Sequence, residues 1–376
     1  MRLPVLVFCL FQTVLPYSYA NEAKLIRVRI GHSTIGAGEI VISGHDFFVR
    51  REGEGKAYFP GKKTLALRVS RFQNEKWEIW GGNLSFNGKP APPHLLVVST
   101  GERVDVIASL ELESYLEGVL AAEIPGHWPV EALKAQAVAS RSYAMYQMAA
   151  RESRAFHVES DIMDQAFRFS TGALTGLRKR IHDAIKATHG MVLSDLRKNI
   201  YPAFYHAHCG GHTEEASEVW ESSGKAGTFK DPFCVNAPTS AWQIRFSSEE
   251  LAQKIFSSSE LSGQVGVKEL QVVDFTGSGR VAVLRLISDN GIEKMVKGQQ
   301  FRKLLGFANF KSLYFTVQKI GSNFIFSGKG FGHGVGLCQW GARGMAKSGL
   351  NFRQILQRYY PTAVPQLLSQ QTLAAL

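Results

Sequence analysis

The segment from Glu113 to Tyr143 constrains the fold most, because two helical patterns in it are separated by closely spaced prolines. Glu123 continues the i, i+3, i+4, i+7 spacing of an apolar helical face. The apolar members of this face are Leu116, Val119 and Leu120. Pro125 ends the helix, since the residue before a proline is pushed out of the α region. We therefore predict a buried carboxylate, Glu123, at a helix end.

A carboxylate on an apolar face either finds a cationic partner or keeps its proton through a raised pKa. The pattern leaves two interpretations open. Glu123 is either one half of a structural ion pair with Lys134 or Arg141 of the following helix, or a general acid/base.

The second helix is predicted to begin at Pro129, because proline suits the first helical turn. Its apolar face comprises Val130, Leu133, Ala137, Ala144 and Met148. The connection across Gly126 and His127 is short, so the two helices form a tight αα-hairpin. This hairpin presents four candidate substrate-binding residues near the end of the first helix and is expected to form one wall of a cleft. They are Lys134, Gln136, Arg141 and Tyr143.

The run LEGVLAAEIP followed by EALKAQAVASRSYA resembles the signature of the SpoIID/LytB family, which contains sporulation stage II protein D and the amidase enhancers. The family pattern is L-x-x-Y-[LV]-x-G-V-[LV]-x-x-E-[MI]-P, then a short gap and E-A-L-K-A-Q-A-V-A-[AS]-R-[ST]-Y-A. The resemblance implies that Glu123 is the catalytic acid/base of a lytic transglycosylase acting on peptidoglycan glycan strands.

Two further segments resemble family motifs. FHVESDIMDQAF resembles a segment that ends in D-x-x-x-Q-x-Y, which makes Gln165 a candidate substrate-binding residue, while Phe167 replaces the tyrosine. GKGFGHGVGLCQWGARGMAKSG resembles the carboxy-terminal motif and adds His333 and Gln339 as substrate-binding candidates. Trp340 is either a sugar-stacking residue or part of the core. Glycines at every second position do not fit G-x-G-x-x-G, which excludes a dinucleotide-binding loop.

The segment YHAHCGGHTEEASEVW also resembles a family motif and contains the candidate metal ligands His206, His208 and Cys209. Zinc accepts nitrogen and sulfur ligands, and the resemblance implies that some members hold zinc on a pair matching His208 and Cys209. A disulfide between Cys209 and Cys234 is the alternative, and free thiols are a third possibility. The chemistry requires no cofactor, and the only one that these motifs suggest is a structural zinc.

Residues 1–20 have a basic start, an apolar middle and small residues at Ser18 and Ala20, which predicts a secretory signal cleaved before Asn21. The protein is therefore expected in the periplasm or cell envelope. The formal net charge is +11, of which Arg2 contributes one. This balance favours an anionic polymer, such as a peptide-stripped glycan strand with its lactyl carboxylates. No recognisable nucleic-acid-reading motif is present, so a nucleic-acid partner is not expected.

Short strands fill the stretch from Leu25 to Ser109, with 39–43 and 46–51 as two separate strands, and helices and strands alternate after it. We predict an α+β protein with two lobes around a cleft. Its parts are a signal (1–20), a β-rich region (21–110) and a catalytic region (111–376). Ser247 and Glu250 form a predicted capping box at the start of a helix.

One carboxylate is sufficient for a lytic transglycosylase, whereas a hydrolase usually needs two, about 5 to 9.5 Å apart. Candidates for a second carboxylate carry no comparable signal; they are Glu117, Asp164, Glu214 and Glu218. The alternatives are a muramidase on the same bond, and a non-catalytic amidase enhancer that activates an N-acetylmuramoyl-L-alanine amidase. A metallohydrolase lacks its H-E-x-x-H motif.

Overall fold

The computed structural model describes residues 25–34, 38–68, 75–99, 103–220, 228–234, 241–256 and 265–369. The predicted signal at 1–20 and its cleavage before Asn21 lie outside these ranges. Helices and strands are both abundant, so the predicted α+β class is confirmed. Within the described ranges, no helix combines the length and the apolar character needed to cross a bilayer. The division into domains and the two-lobed cleft stay predictions.

A long sheet forms the amino-terminal part. Its strands are β1 (Ile26–Thr34), β2 (Glu39–Arg51), β3 (Lys56–Arg68), β4 (Lys76–Phe86), β5 (Lys89–Pro90), β6 (His94–Ser99), β7 (Arg103–Leu110) and β8 (Val158–Glu159). The order is β3-β2-β4-β6-β7-β1-β8, with β5 paired to β4. Two segments predicted as separate strands, 39–43 and 46–51, form the single strand β2. A register shift at Asp46, whose φ is 53°, marks a bulge between them.

Three helices follow the sheet: α1 (Leu112–Glu123), α2 (Val130–Ala150) and α3 (Gly176–Ala187). Helix α2 is buried on nearly all sides. Ala137, Ala144 and Met148 join the core under the sheet, whereas Ala135 and Val138 join a second core formed with the carboxy-terminal helices. Helix α2 is therefore the element shared by both cores.

The carboxy-terminal part contains β9 (Met191–Ser194), β10 (Tyr205–His206), β11 (Ala241–Ser247), α4 (Ser248–Ile255), β12 (Val267–Phe275), β13 (Val281–Ser288), β14 (Glu293–Lys297), α5 (Gly298–Leu305), β15 (Phe315–Ile320), β16 (Asn323–Lys329), β17 (Leu337–Cys338), α6 (Gln339–Lys347), α7 (Phe352–Tyr359) and β18 (Val364–Leu367). Two three-stranded sheets, β11-β16-β15 and β12-β13-β14, enclose a phenylalanine-rich core. The capping box of Ser247 and Glu250 is confirmed at the start of α4.

The glycine-rich segment 328–336 carries the chain from β16 to α6. Four of its glycines have positive φ, and a Cβ on Gly336 would lie 2.1 Å from the carbonyl oxygen of Phe204. This close approach lets β17 pair in parallel with β10, with Cys338 opposite His206. The pairing places the first residue of α6, Gln339, beside the end of α1.

Candidate active site

Glu123 is the last residue of α1, and Ile124 is already extended before Pro125. The half-buried side chain is held at both carboxylate oxygens. Oε1 accepts a hydrogen bond from the Ala166 backbone N–H at 2.9 Å, and Oε2 accepts one from Gln339 Nε2 at 3.1 Å. No Lys, Arg or His in the described part of the chain forms an ion pair with it. Of the two interpretations of its sequence pattern, the ion pair with Lys134 or Arg141 is therefore wrong.

Opposing effects act on the pKa of Glu123. Burial in the protein raises it, while hydrogen bonds from Ala166, Gln339 and the Tyr205 hydroxyl act to lower it. Burial is the larger effect, and the pKa is raised above its ordinary value of 4.5. A raised pKa increases the protonated fraction at neutral pH, as a general acid requires.

A buried hydrogen-bonded chain supports this carboxylate. Gln165 accepts a hydrogen bond from the Tyr115 hydroxyl at 3.0 Å and donates through Nε2 to the Tyr205 oxygen at 2.9 Å. The proton of Tyr205 is thereby left to donate toward Glu123. Gln165 is fully buried, so it positions the site, in contrast to the expected contact with substrate. Tyr115 and Tyr205 were missed by the sequence reasoning, although each is a fixed letter of its motif.

Arg141 differs most from the expected substrate-binding role. Its guanidinium is fully buried and donates to both carboxylate oxygens of Glu113, at 2.7 and 2.8 Å, and to the Met191 carbonyl at 3.0 Å. It thereby joins α1, α2 and β9. Lys134 pairs with Glu131 of its own helix at 2.8 Å, and no contact between Lys134 and Glu123 is present.

The other two candidates on α2 also bind protein groups. The Tyr143 hydroxyl donates to Asp164 at 2.6 Å, and Gln136 donates to the Ser140 hydroxyl at 3.0 Å. Both side chains are buried. They stabilise the packing of α2 and do not face a ligand. The sequence could not show this, because helical periodicity identifies a face of a helix but not which polar side chains become enclosed.

His333 lies in an aromatic cluster beside Phe204, His206 and Trp220, with its ring centroid 4.9 Å from that of Trp220. Its Nδ1 accepts the Val335 backbone N–H at 3.0 Å. Burial holds the pKa of His333 well below its ordinary value, so the ring is neutral at physiological pH. Contact with substrate stays a prediction for this residue.

Trp340 follows Gln339 on α6 and is half-buried. It packs edge-on against Trp128, with ring centroids 5.2 Å apart, and the Arg343 guanidinium lies 4.8 Å from its ring. Trp128 and Ile124 belong to the same small core. Core packing is therefore a definite part of its role, and this packing fixes α6 next to the residue that follows Glu123.

The three predicted metal ligands do not converge as one ligand set, although His208 hydrogen-bonds to Cys234 beside Cys209. His206 Nδ1 donates to the Val335 carbonyl at 3.0 Å, and His208 Nδ1 accepts the Gly210 N–H at 2.9 Å. Cys209 instead lies among Asp231, Cys234 and Cys338. All three thiols are free in the structure, including the Cys209 and Cys234 pair considered for a disulfide. The sequence reasoning missed Asp231.

The four candidates for a second catalytic carboxylate either bind other groups of the protein or are exposed. Glu117 contacts His182 at 2.8 Å, and Asp164 pairs with Arg151 at 2.6 Å. Glu214 accepts hydroxyl hydrogen bonds from Thr276 and Ser278, whereas Glu218 is exposed. Among the described residues, no carboxylate is hydrogen-bonded to Glu123 or appears among the causes of its raised pKa.

A family profile described as Stage II sporulation protein (SpoIID) matches residues 100–194, and one for a domain of unknown function (DUF8618) matches residues 235–336. The first range contains α1, α2 and Glu123. The second contains all six strands of the two three-stranded sheets.

Three curated relatives are informative. Stage II sporulation protein D of Bacillus amyloliquefaciens is 31% identical over 266 residues, covering 68% of this chain and 74% of the relative. The protein of that name in Bacillus subtilis (strain 168) is 29% identical over 285 residues, covering 72% and 78%. The amidase enhancer of B. subtilis is 28% identical over 293 residues, covering 65% of this chain and 39% of the relative. With these motifs, this coverage and this profile match, the chain belongs to the SpoIID/LytB family.

Proposed function

We propose that this protein is a peptidoglycan lytic transglycosylase that cleaves the bond between N-acetylmuramic acid and N-acetylglucosamine, with Glu123 as its sole acid/base. Membership in the family supports a cell-wall-related function and, with it, a location in the cell envelope. The observation that carries the finer proposal is the state of the Glu123 carboxyl. It is half-buried, forms no ion pair with any cation of the described ranges, is hydrogen-bonded at both oxygens and has a raised pKa.

One carboxyl group is enough for this reaction. Protonated Glu123 donates its proton to the glycosidic oxygen as the bond to C1 of muramic acid breaks. The resulting carboxylate takes the proton of the muramic acid 6-hydroxyl, whose oxygen closes onto C1 and gives a 1,6-anhydro end. Hydrogen bonds from Ala166 and Gln339 stabilise the carboxylate stage, and no water enters the products.

The substrate we favour is a peptide-stripped strand, because its lactyl carboxylates are exposed. Arg168 is an exposed cation two residues beyond Ala166. It lines a cavity of about 160 Å³ beside α1, together with Arg178 and Ala121. We propose this cavity as a place where a lactyl carboxylate of the strand binds near Glu123.

A non-catalytic role is the second candidate, because one relative is named an amidase enhancer. In that case the protein binds strands and activates an N-acetylmuramoyl-L-alanine amidase without cleaving the glycan. The same cavity serves both proposals, whereas only cleavage requires the proton of Glu123.

The first test compares Glu123→Gln with Glu111→Gln, a matched carboxamide variant at the exposed amino end of the same helix. The amide keeps the shape of Glu123 but has no proton to donate, so the rate of release of soluble fragments from amidase-treated peptidoglycan should fall roughly 10²- to 10⁴-fold. Glu111→Gln should retain most of the parent's rate. Circular dichroism and strand binding check that both variants are folded. Cleavage by Glu123→Gln at the parent's rate would reject the assignment.

A further inference from the structure

Four aromatic rings lie in one row across the amino-terminal sheet. Phe48 of β2 is directly opposite Tyr58 of β3 on one side and Trp80 of β4 on the other, and Trp80 is opposite His94 of β6. The ring centroids of Phe48 and Tyr58 are 4.9 Å apart, and those of Trp80 and His94 are 5.5 Å apart with nearly parallel planes. We call these four residues the aromatic row. It precedes the range that the SpoIID profile matches, so that match assigns no role to it.

The aromatic row is on the outer face of the sheet. Side chains alternate between the two faces of a strand, and the adjacent residues Val49, Ile79 and Leu95 join the core that contains α1. The sheet therefore lies between the aromatic row and the helix that ends at Glu123. Tyr58 is 52% exposed, and the other three rings are half-buried. A contiguous exposed apolar patch of this kind usually marks an interaction surface.

Flexible cationic side chains lie over two of the rings. Lys56 Nζ is 4.0 Å from the Phe48 ring centroid and 5.4 Å from that of Trp80, and the Arg50 guanidinium is 5.4 Å from the Trp80 centroid. The electron-rich faces of aromatic rings attract cations. Lys56 is exposed and forms no ion pair within the described part of the chain, so its ammonium group can move aside. The C–H groups of a sugar ring also carry partial positive charge and can take its place against the rings.

A polar cavity of about 270 Å³ adjoins the aromatic row. Its lining residues are Arg50, Glu52, Gly53, Glu54, Lys76 and Glu78. Arg50 and Glu78 are opposite one another on β2 and β4, and each is two residues from a ring of the row, so they lie on the same face. Glu78 forms ion pairs with Arg50 and Lys76. The cavity therefore offers both hydrogen-bond donors and acceptors, a mixture that suits the hydroxyl and acetamido groups of a sugar.

The sheet edge beside the aromatic row is poorly suited to binding a protein strand. Tyr58 belongs to β3, which is the edge strand of the sheet. Pro60 of this strand has no N–H to donate, and Lys62 is exposed. Proline and lysine on an edge strand oppose pairing with another chain. These observations favour a sugar ligand over a protein segment.

We propose that the aromatic row and the adjoining cavity form a second glycan-binding surface, on the face of the sheet opposite to α1. Sugar rings of a polysaccharide stack on the aromatic row, which holds the protein on the wall while Glu123 acts on another segment. Such tethering raises the effective concentration of glycan strands at the active site. The identity of the polysaccharide as peptidoglycan rests on the proposed function, whereas glycan binding itself does not.

The test is hydroxyl-radical labelling of the full chain, read for each residue by mass spectrometry, with an oligomer of N-acetylglucosamine as the ligand. This oligomer is uncharged and lacks muramic acid, so it does not contain the bond that the proposed reaction breaks. We expect it to protect Tyr58 and Trp80 severalfold but not Phe275, an exposed aromatic residue on β12. Protection should be the same in Glu123→Gln. Polyglutamate at the same concentration in physiological salt should give no protection.

The oligomer concentration for half-maximal protection of Tyr58 reports the affinity of this surface alone. Trp80→Leu should raise that concentration roughly tenfold, which corresponds to the loss of one stacked ring, whereas Phe275→Leu should leave it unchanged. Labelling of the parent protein still tests the proposal if Trp80→Leu fails to fold.

Three outcomes would overturn the proposal. They are no protection of Tyr58 and Trp80 in the parent, equal protection by polyglutamate, and an unchanged midpoint in Trp80→Leu. If the parent does not cleave glycan strands but the oligomer protects both residues, the proposed function fails and the second surface stands.

Discussion

At the scale of single residues, the chemistry depends on how one carboxyl group is solvated. Two hydrogen bonds and a tyrosine hydroxyl favour the ionised form of Glu123, yet removal from water outweighs them and its pKa is raised. A nearby cation would reverse this balance, and the two cations offered by α2 are held instead by Glu113 and Glu131. Because these two cations pair with other carboxylates, Glu123 can keep its proton.

The raised pKa predicts a pH-dependent cost in stability. Well below pH 4.5, which is the ordinary pKa of the group, the carboxyl is protonated in both states, so the raised pKa has no effect. As the pH rises toward the higher folded-state pKa, the unfolded chain ionises first and the parent loses stability, about 1.4 kcal/mol for each unit of the shift. Glu123→Gln lacks this loss. Its melting temperature should therefore rise relative to the parent's between pH 4 and 7, measured by calorimetry.

The control for that measurement is Glu218→Gln, which changes an exposed carboxylate. Its melting temperature should keep a constant offset from the parent's over the same range. A constant offset for Glu123→Gln as well would mean that the carboxyl titrates normally in the folded protein.

The sequence located the carboxyl but not its neighbours. Glu123 was identifiable because helical spacing and Pro125 act locally. Arg141 and Gln165 were assigned to the substrate because a motif gives residue identity without direction. Their partners, Glu113 and Tyr205, are 28 and 40 residues away in the chain, and such pairings follow from the packing of α2 and β10, which no local pattern encodes.

At the scale of secondary-structure elements, close packing around α1 fixes the backbone donor to Glu123. A Cβ on Gly118 would lie 2.4 Å from the Phe167 ring and 2.8 Å from the Arg168 carbonyl oxygen. Arg168 also donates its N–H to the Gly118 carbonyl at 3.2 Å. The segment that supplies the Ala166 N–H therefore packs directly against α1. Phe167 occupies the position of the family's tyrosine but has no hydroxyl group.

Gly118→Ala should destabilise the protein despite the better helix propensity of alanine. Alanine would favour an exposed helix by about 1 kcal/mol, but the clash with Phe167 and a backbone oxygen should cost about 1 to 3 kcal/mol more than that gain. Chemical denaturation measures the difference. Gly277→Ala is the control, because a Cβ there meets nothing within 4 Å. Equal or greater stability of Gly118→Ala would show that the contact between α1 and segment 166–168 has room for an added methyl group.

Local sequence signals predicted most helices and strands. They failed where contacts with distant segments determine the structure. The end of α1 and the start of α2 followed from prolines, and α4 followed from its capping box. The strand β2 was divided in two because Gly44 and Asp46 mimic a turn, whereas the neighbouring strands hold both halves in one ladder. The path of segment 328–336 depends on contact with the loop at 204–210 and has no local signal.

At the scale of the whole molecule, charge accounts for attraction to an anionic strand. The formal net charge of +11 is spread along the chain, and many exposed basic groups already have acidic partners. Arg168 is different, because its exposed guanidinium beside α1 forms no hydrogen bond or ion pair with any described residue. The long-range attraction due to the net charge and the local contact made by Arg168 should therefore be separable by experiment.

Binding to peptide-stripped strands should weaken steadily as salt is added, because screening shortens the range of the attraction. Intact strands should show a smaller salt dependence. Arg168→Ala should weaken binding more than Lys63→Ala, an exposed cation on β3. Pull-down across a salt series measures all three effects. Salt-independent binding, or equal effects of the two variants, would remove the electrostatic part of the account.

The central claim is that Glu123 alone transfers both protons and that water takes no part. Mass spectrometry of the soluble fragments formed in ¹⁸O-labelled water tests this directly. The account predicts 1,6-anhydro ends without ¹⁸O from the parent and at most trace amounts of the same product from Glu123→Gln. Reducing ends that carry ¹⁸O would contradict it and indicate a hydrolase, and binding without any cleavage by the parent would indicate an amidase enhancer.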